Sequence, residues 1–151
     1  MKRLSALFET VAMVFLAGIL VTVCLQVFFR YVAGIVAPWT EEATRYLGIW
    51  MVFMGATAAV AQGSHIAVSA LVDRLPDRLK GGAGLAALAV ALLFNLIVFL
   101  GSLQLIRLNW EQQAVTFPVS VAVLYLAVAV SSGVSLIFLS IHVRNALRRK
   151  S

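Results

Sequence analysis

Hydrophobic residues in this chain come in long runs, with polar residues confined to the gaps between them. The first run spans residues 11–29, interrupted by small side chains and, near its end, by Gln26. Three more runs of similar character follow. At 1.5 Å of rise per residue, about 20 apolar residues are needed to cross roughly 30 Å of hydrocarbon. The pattern predicts four membrane-spanning helices, at about 7–31, 40–62, 85–107 and 119–143.

The gaps are informative. Gly34 and Pro38 break the chain between the first two helices, a tight turn by composition. Thr40 is a candidate N-cap for the second helix, with Glu41 and Glu42 in its first turn, where carboxylates suit the helix dipole. Residues 64–75 are more polar, but Ile66, Val68, Leu71, Val72 and Leu75 recur at helical spacing. That stripe predicts a short helix lying in the membrane interface. Pro76 then stops it or opens the third helix. Phe117 and Pro118 close the last connection.

Composition supports the membrane reading. Of 151 residues, 62% are hydrophobic and only 12% charged, and the mean hydropathy is +1.00. A soluble domain carries about twice that charged fraction. The first run is long for the core of a signal peptide, and Arg30 and Tyr31 stand where a cleavage site would, so it reads as a retained helix. The fold class expected is an all-α integral membrane protein, a single four-helix domain over 1–151 with the interfacial segment between its second and third helices.

Charge then sets an orientation. With the N-terminus inside, the inner segments hold nine basic residues (Lys2, Arg3, Arg74, Arg78, Lys80, Arg144, Arg148, Arg149 and Lys150), against three outside (Arg30, Arg45 and Arg107). Glu41, Glu42 and Glu111 balance those three. The net charge of +6 therefore lies on one side, which predicts cytoplasmic N- and C-termini. The basic balance is a topology signal or an anionic-lipid contact, and no nucleic-acid partner is expected.

Candidate chemistry is sparse. Cys24 is the single cysteine. No nucleophile–base spacing, phosphate loop or metal-ligand cluster stands in the sequence, so neither enzyme nor cofactor is expected. Gln26 and Asn95 are polar side chains inside apolar runs, and both read as interhelical hydrogen-bonding groups. Gly55, Ala59 and Gly63 form a small-residue stripe at intervals of four, where another helix can approach, within the chain or from a partner. Arg30, Trp39, Glu41, Glu42 and Arg45 gather at one membrane face, either as a salt-bridge clasp or as a docking surface. In a clasp, Arg30 would reach Glu41 or Glu42 across the turn.

The stretch 26–76 carries a resemblance. Gln26-Val-Phe-Phe-Arg30-Tyr31, then Pro38-Trp39-Thr40-Glu41-Glu42 with Arg45-Tyr46, then Trp50 and Gly55, then Gly63-Ser64-His65-Ile66, and Asp73-Arg74-Leu75-Pro76, resemble the small membrane subunit of tripartite ATP-independent periplasmic (TRAP) transporters, the DctQ-type Q subunit. Ala61-Gln62 and Ser64 stand where that family often has a charged residue beside the histidine. The resemblance implies a multi-pass protein of the bacterial inner membrane. Its partners would be a large membrane subunit of the M type, a periplasmic substrate-binding protein and membrane lipids. It implies sodium-driven uptake of organic acids, with the small subunit as part of the scaffold for an elevator-type large subunit. The partner interface would draw on Arg30, Trp39, Glu41, Glu42, Arg45, Trp50, Gly55, Ala59, Gly63 and His65. Two other readings compete: a small four-helix exporter acting as a dimer, and a haem-bearing membrane anchor using His65 and His142.

Overall fold

The computed structural model describes residues 2–62, 77–116 and 118–148. Four helices account for most of these: α1 (Lys2–Tyr31), α2 (Pro38–Ala61), α3 (Asp77–Leu108) and α4 (Ala122–Arg148). Each contains a stretch long and apolar enough to cross a membrane: Leu4–Tyr31, Pro38–Ala61, Gly82–Leu108 and Ala122–Arg144. The interfacial segment expected at 64–75, together with Gly63 and His65, lies outside the described residues.

Helix starts follow local chemistry. Helix α2 begins at Pro38, two residues before the expected cap. Proline has no N–H to leave unsatisfied and a φ already suited to the first helical position. Thr40 is therefore inside the first turn, completely buried, with its hydroxyl donating to the Ala37 carbonyl at 2.7 Å. Helix α3 begins at Asp77, directly after Pro76, and runs through Gly81, Gly82 and Gly84 without a break. Helix α4 starts at Ala122, later than expected. Residues 118–121 are held in a turn by a single bridge between Gln113 and Ser120, and the Ser120 hydroxyl accepts the Ala122 amide at 3.1 Å.

The helices form an open row. Among the described residues, α1 packs on α2, α2 on α4, and α4 on α3, with no other pair in contact. The order across the row is α1–α2–α4–α3, one helix thick. Buried positions accordingly gather on the two inner helices: Met54, Thr57 and Ala58 on α2, and Ala127, Ser131, Phe138 and Leu139 on α4. The flanking helices expose large apolar side chains such as Met13, Val14, Leu20, Val90, Phe94 and Ile97. Water would penalise that exposure; lipid does not.

The α1–α2 hairpin is zipped along its length. From the turn downward, Phe29 meets Trp39 with ring centroids 6.3 Å apart, and the Gln26 amide donates to Glu41 at 3.2 Å. Gly18 sits against Leu47. Phe15 meets Trp50 at 5.9 Å, and the Gln62 amide donates to Glu9. Gly34 makes the turn possible, with φ +67°, a conformation L side chains rarely adopt. The Ile35 amide then returns to the Phe29 carbonyl at 2.9 Å.

The central seam runs between α2 and α4, which are parallel neighbours. Tyr46 reaches the Ser120 carbonyl at 3.5 Å near one end. Deeper down, the Thr57 and Ser131 hydroxyls lie 2.7 Å apart and share the Phe53 carbonyl, at 2.9 and 2.8 Å. Both side chains are buried. In hydrocarbon such bonds hold helices together because no water competes.

At the α3–α4 seam the backbones come close. A Cβ at Gly133 would stand 3.2 Å from the Phe99 ring. Gly133→Leu is expected to destabilise this seam by about 1–3 kcal/mol, the usual cost of overpacking. Unfolding in detergent, followed by disulfide trapping between cysteines placed on α3 and α4, measures it. Unchanged trapping would show that the Phe99 ring moves aside freely.

Candidate partner-docking surface

The turn 31–37 and the connection 109–121 lie at the same end of the row, where Glu42 joins them. Its carboxylate accepts the Val115 amide at 3.0 Å, the Thr116 amide at 2.7 Å and the Thr116 hydroxyl. One side chain on α2 thereby fixes the connection between α3 and α4. The neighbouring Glu41 takes the Gln26 amide from α1. These two carboxylates, adjacent in sequence, tie α2 to the elements on either side of it.

This differs from the charge clasp that the sequence suggests. Arg30 and Arg45 are both exposed, and neither makes an ion pair with a described residue. The carboxylates are occupied instead by amide and hydroxyl donors, which are fixed in place and need no long side chain to be ordered. The charge of Arg45 acts on the Glu42 carboxylate without an ion pair; the same end also carries Tyr31, Val32, Ile35, Val36 and Val115, all more than half exposed. The turn end therefore carries two exposed arginines without a described ion pair, and exposed apolar side chains, on a backbone held by Glu42.

The remaining candidates divide. Gln26 makes the interhelical bond expected of it. Asn95 does not: its amide donates to the Ala91 carbonyl at 3.0 Å, one turn back in its own helix. That bond satisfies the amide in lipid without a neighbour. Trp39 and Trp50 pack on Phe29 and Phe15 of α1. Gly55 faces open space, with nothing within 4 Å of a Cβ placed there, and Ala59 one turn further is exposed. The small-residue stripe thus looks away from the chain's own helices over its described part. His142 Nδ1 donates to Phe138 at 2.7 Å within α4. Among the described residues no cluster of potential metal ligands occurs.

The sequence did not single out Val115, Thr116, Tyr46 or Thr57 as partners. Backbone amides leave no trace in side-chain chemistry. The sole available signal was Tyr46, an amphipathic residue one turn after Glu42.

An all-helical, multi-pass membrane protein, with polar groups spent on its own connections at one end, is the class this architecture defines. The chain belongs to the tripartite ATP-independent periplasmic transporters, DctQ component, a family that matches residues 19–149. It is a small subunit of the DctQ type. It is 34% identical over 77 residues to the C4-dicarboxylate TRAP transporter small permease protein DctQ of Vibrio cholerae, covering 51% of this chain and 33% of that protein. It is 28% identical over 124 residues to the isethionate TRAP transporter permease protein DctMQ of Oleidesulfovibrio alaskensis, 77% of this chain and 20% of that protein. It is 25% identical over 101 residues to the sialic acid TRAP transporter small permease protein SiaQ of Vibrio cholerae, 66% of this chain and 58% of that protein. The matches thus span less than two thirds of each relative.

Proposed function

We propose that this chain is the static scaffold of a sodium-driven uptake transporter for organic acids in a bacterial inner membrane. Both termini lie on the cytoplasmic side, and the Glu42 end faces the periplasm. The carrying observation is the open row. One layer of helices cannot enclose a path for a polar solute, and here it leaves two apolar faces uncovered. A second, larger membrane subunit packed against one face would complete the transporter, hold the substrate and sodium sites, and move as an elevator against this fixed wall. Gly55 and Ala59 offer such a subunit a place of close approach. The exposed side chains of Arg30 and Arg45 offer a periplasmic binding protein a basic contact.

Two features of the relatives support this reading. C4-dicarboxylate, isethionate and sialic acid are all organic acids. In the isethionate protein, whose name joins M to Q, the matched stretch is a fifth of the length, which leaves ample chain for a large permease portion. The test is uptake in cells lacking this chain, with labelled C4-dicarboxylates, isethionate and sialic acid as probes. Uptake of one probe should vanish, return with the restored chain, and cease when the sodium gradient is collapsed. Uptake that survives loss of the chain, or loss of the gradient, would overturn the reading.

A further inference from the structure

The far edge of the row carries a feature that the scaffold reading does not use. At the turn end of α3, a cavity of about 450 Å³ is lined by Ile106, Arg107, Leu108, Trp110 and Glu111. Its walls are set by the end of the helix. The Asn109 backbone and side-chain amides both return to the Leu105 carbonyl, at 3.0 and 2.8 Å. The Ser120 hydroxyl bonds the Trp110 carbonyl at 2.8 Å. The backbone around the cavity is therefore held at both ends of the turn before any ligand arrives.

Its chemistry is mixed in a specific way. Arg107 and Glu111 stand four residues apart, yet they form no ion pair with each other or with any other described residue. The Trp110 side chain is 62% exposed, and its indole N–H has no described acceptor. The lining of one open pocket thus includes an arginine, a tryptophan and a glutamate whose polar groups have no described partner, together with Ile106 and Leu108. Arg107 is the penultimate residue of a membrane-spanning stretch, so the cavity lies at headgroup depth.

We propose that this cavity binds a phospholipid headgroup that carries a primary ammonium, that of phosphatidylethanolamine. The guanidinium matches the phosphate oxygens as a fork, and the indole can donate to the same group at the depth where tryptophan is favoured. The ammonium is both the charge and the N–H donor that Glu111 needs. A choline headgroup supplies the charge without the donor. A glycerol headgroup supplies no cation, and its net negative charge meets the Glu111 carboxylate. The apolar walls receive the start of the acyl chains.

The experiment uses the full chain with any membrane protein that co-extracts. It is reconstituted in nanodiscs of equimolar phosphatidylethanolamine, phosphatidylcholine and phosphatidylglycerol, and retained lipids are counted by native mass spectrometry. Phosphatidylethanolamine should be retained over each of the others by about fivefold. Glu111→Gln should bring the ethanolamine-to-choline ratio near unity while lipid is still retained. Arg107→Gln should reduce retention of all three. Circular dichroism checks that both variants, changed at exposed positions, keep their helices. An unchanged ratio in Glu111→Gln, or a preference for phosphatidylglycerol in the parent chain, would overturn the proposal. So would displacement of the lipid by equimolar water-soluble glycerophosphoethanolamine, which would make the site one for a free phosphate compound.

Discussion

Gly55→Leu is expected to leave this chain folded in the membrane and to strip it from the larger subunit proposed above. The position is on α2, the second helix of the row, and among the described residues nothing beyond that helix's own backbone lies within 4 Å of a Cβ built there. A side chain can therefore start from this position without meeting another described helix. A partner helix seated against the Gly55 and Ala59 backbone would meet the new side chain directly. Overpacking of about 1–3 kcal/mol at one contact weakens association by roughly five- to more than hundredfold. Co-elution in mild detergent reads the loss, with Gly133→Leu as the contrasting variant that disturbs the chain itself. If Gly55→Leu co-elutes as well as the parent, the stripe faces lipid and the large subunit sits on the other side of the row.

Glu42→Lys is expected to abolish most uptake while leaving insertion and amount in the membrane unchanged. The substitution removes the acceptor for three donors on residues 115 and 116 and places a second cation beside Arg45. The connection 109–121 keeps only the long Tyr46 to Ser120 bond to α2, and the turn end loses the fixed shape on which Arg30 and Arg45 are displayed. Transport should fall by about tenfold or more, because charge-assisted bonds to fixed backbone donors are among the strongest available. Glu42→Gln should fall between the two, since one amide oxygen remains to accept. Initial uptake rates at matched membrane levels decide the matter. Normal uptake by Glu42→Lys would show that the bracket serves neither docking nor assembly.

These two positions show how far the sequence could be read. Gly55 was visible as a member of a small-residue stripe, because a spacing of four places residues on one helical face. Which neighbour the face meets was not visible. All four helices are apolar almost all round, so no stripe in the sequence says which side is inside. The row order follows from close fits such as Gly133 on Phe99 and Gly18 on Leu47, and from the buried pair Thr57 and Ser131. Neither member of that pair stands out in the sequence, since a serine or threonine in an apolar run can as easily bond its own helix.

Glu42 tells the same story for the polar end. Its place beside a membrane boundary follows from the break at Pro38 and the first turn of α2. The natural partners for a carboxylate seemed to be the guanidinium groups nearby, and the structure gives it backbone amides from a loop more than seventy residues away. Arg30 and Arg45 form no ion pair with a described residue in consequence, although the charge of Arg45 still acts on Glu42. Asn95, an amide in an apolar run, bonds the i−4 carbonyl of its own helix. Gln26, closer to the polar end, does reach across, because Glu41 stands opposite it in the hairpin.

The measurement closest to the central claim is co-purification. The chain carries a C-terminal tag, is expressed with its native membrane proteins and is extracted gently, and its companions are identified by mass spectrometry. A scaffold subunit brings down one much larger polytopic membrane protein in fixed stoichiometry. Recovery of the chain alone, or as a pair of copies with no larger companion, would contradict the account.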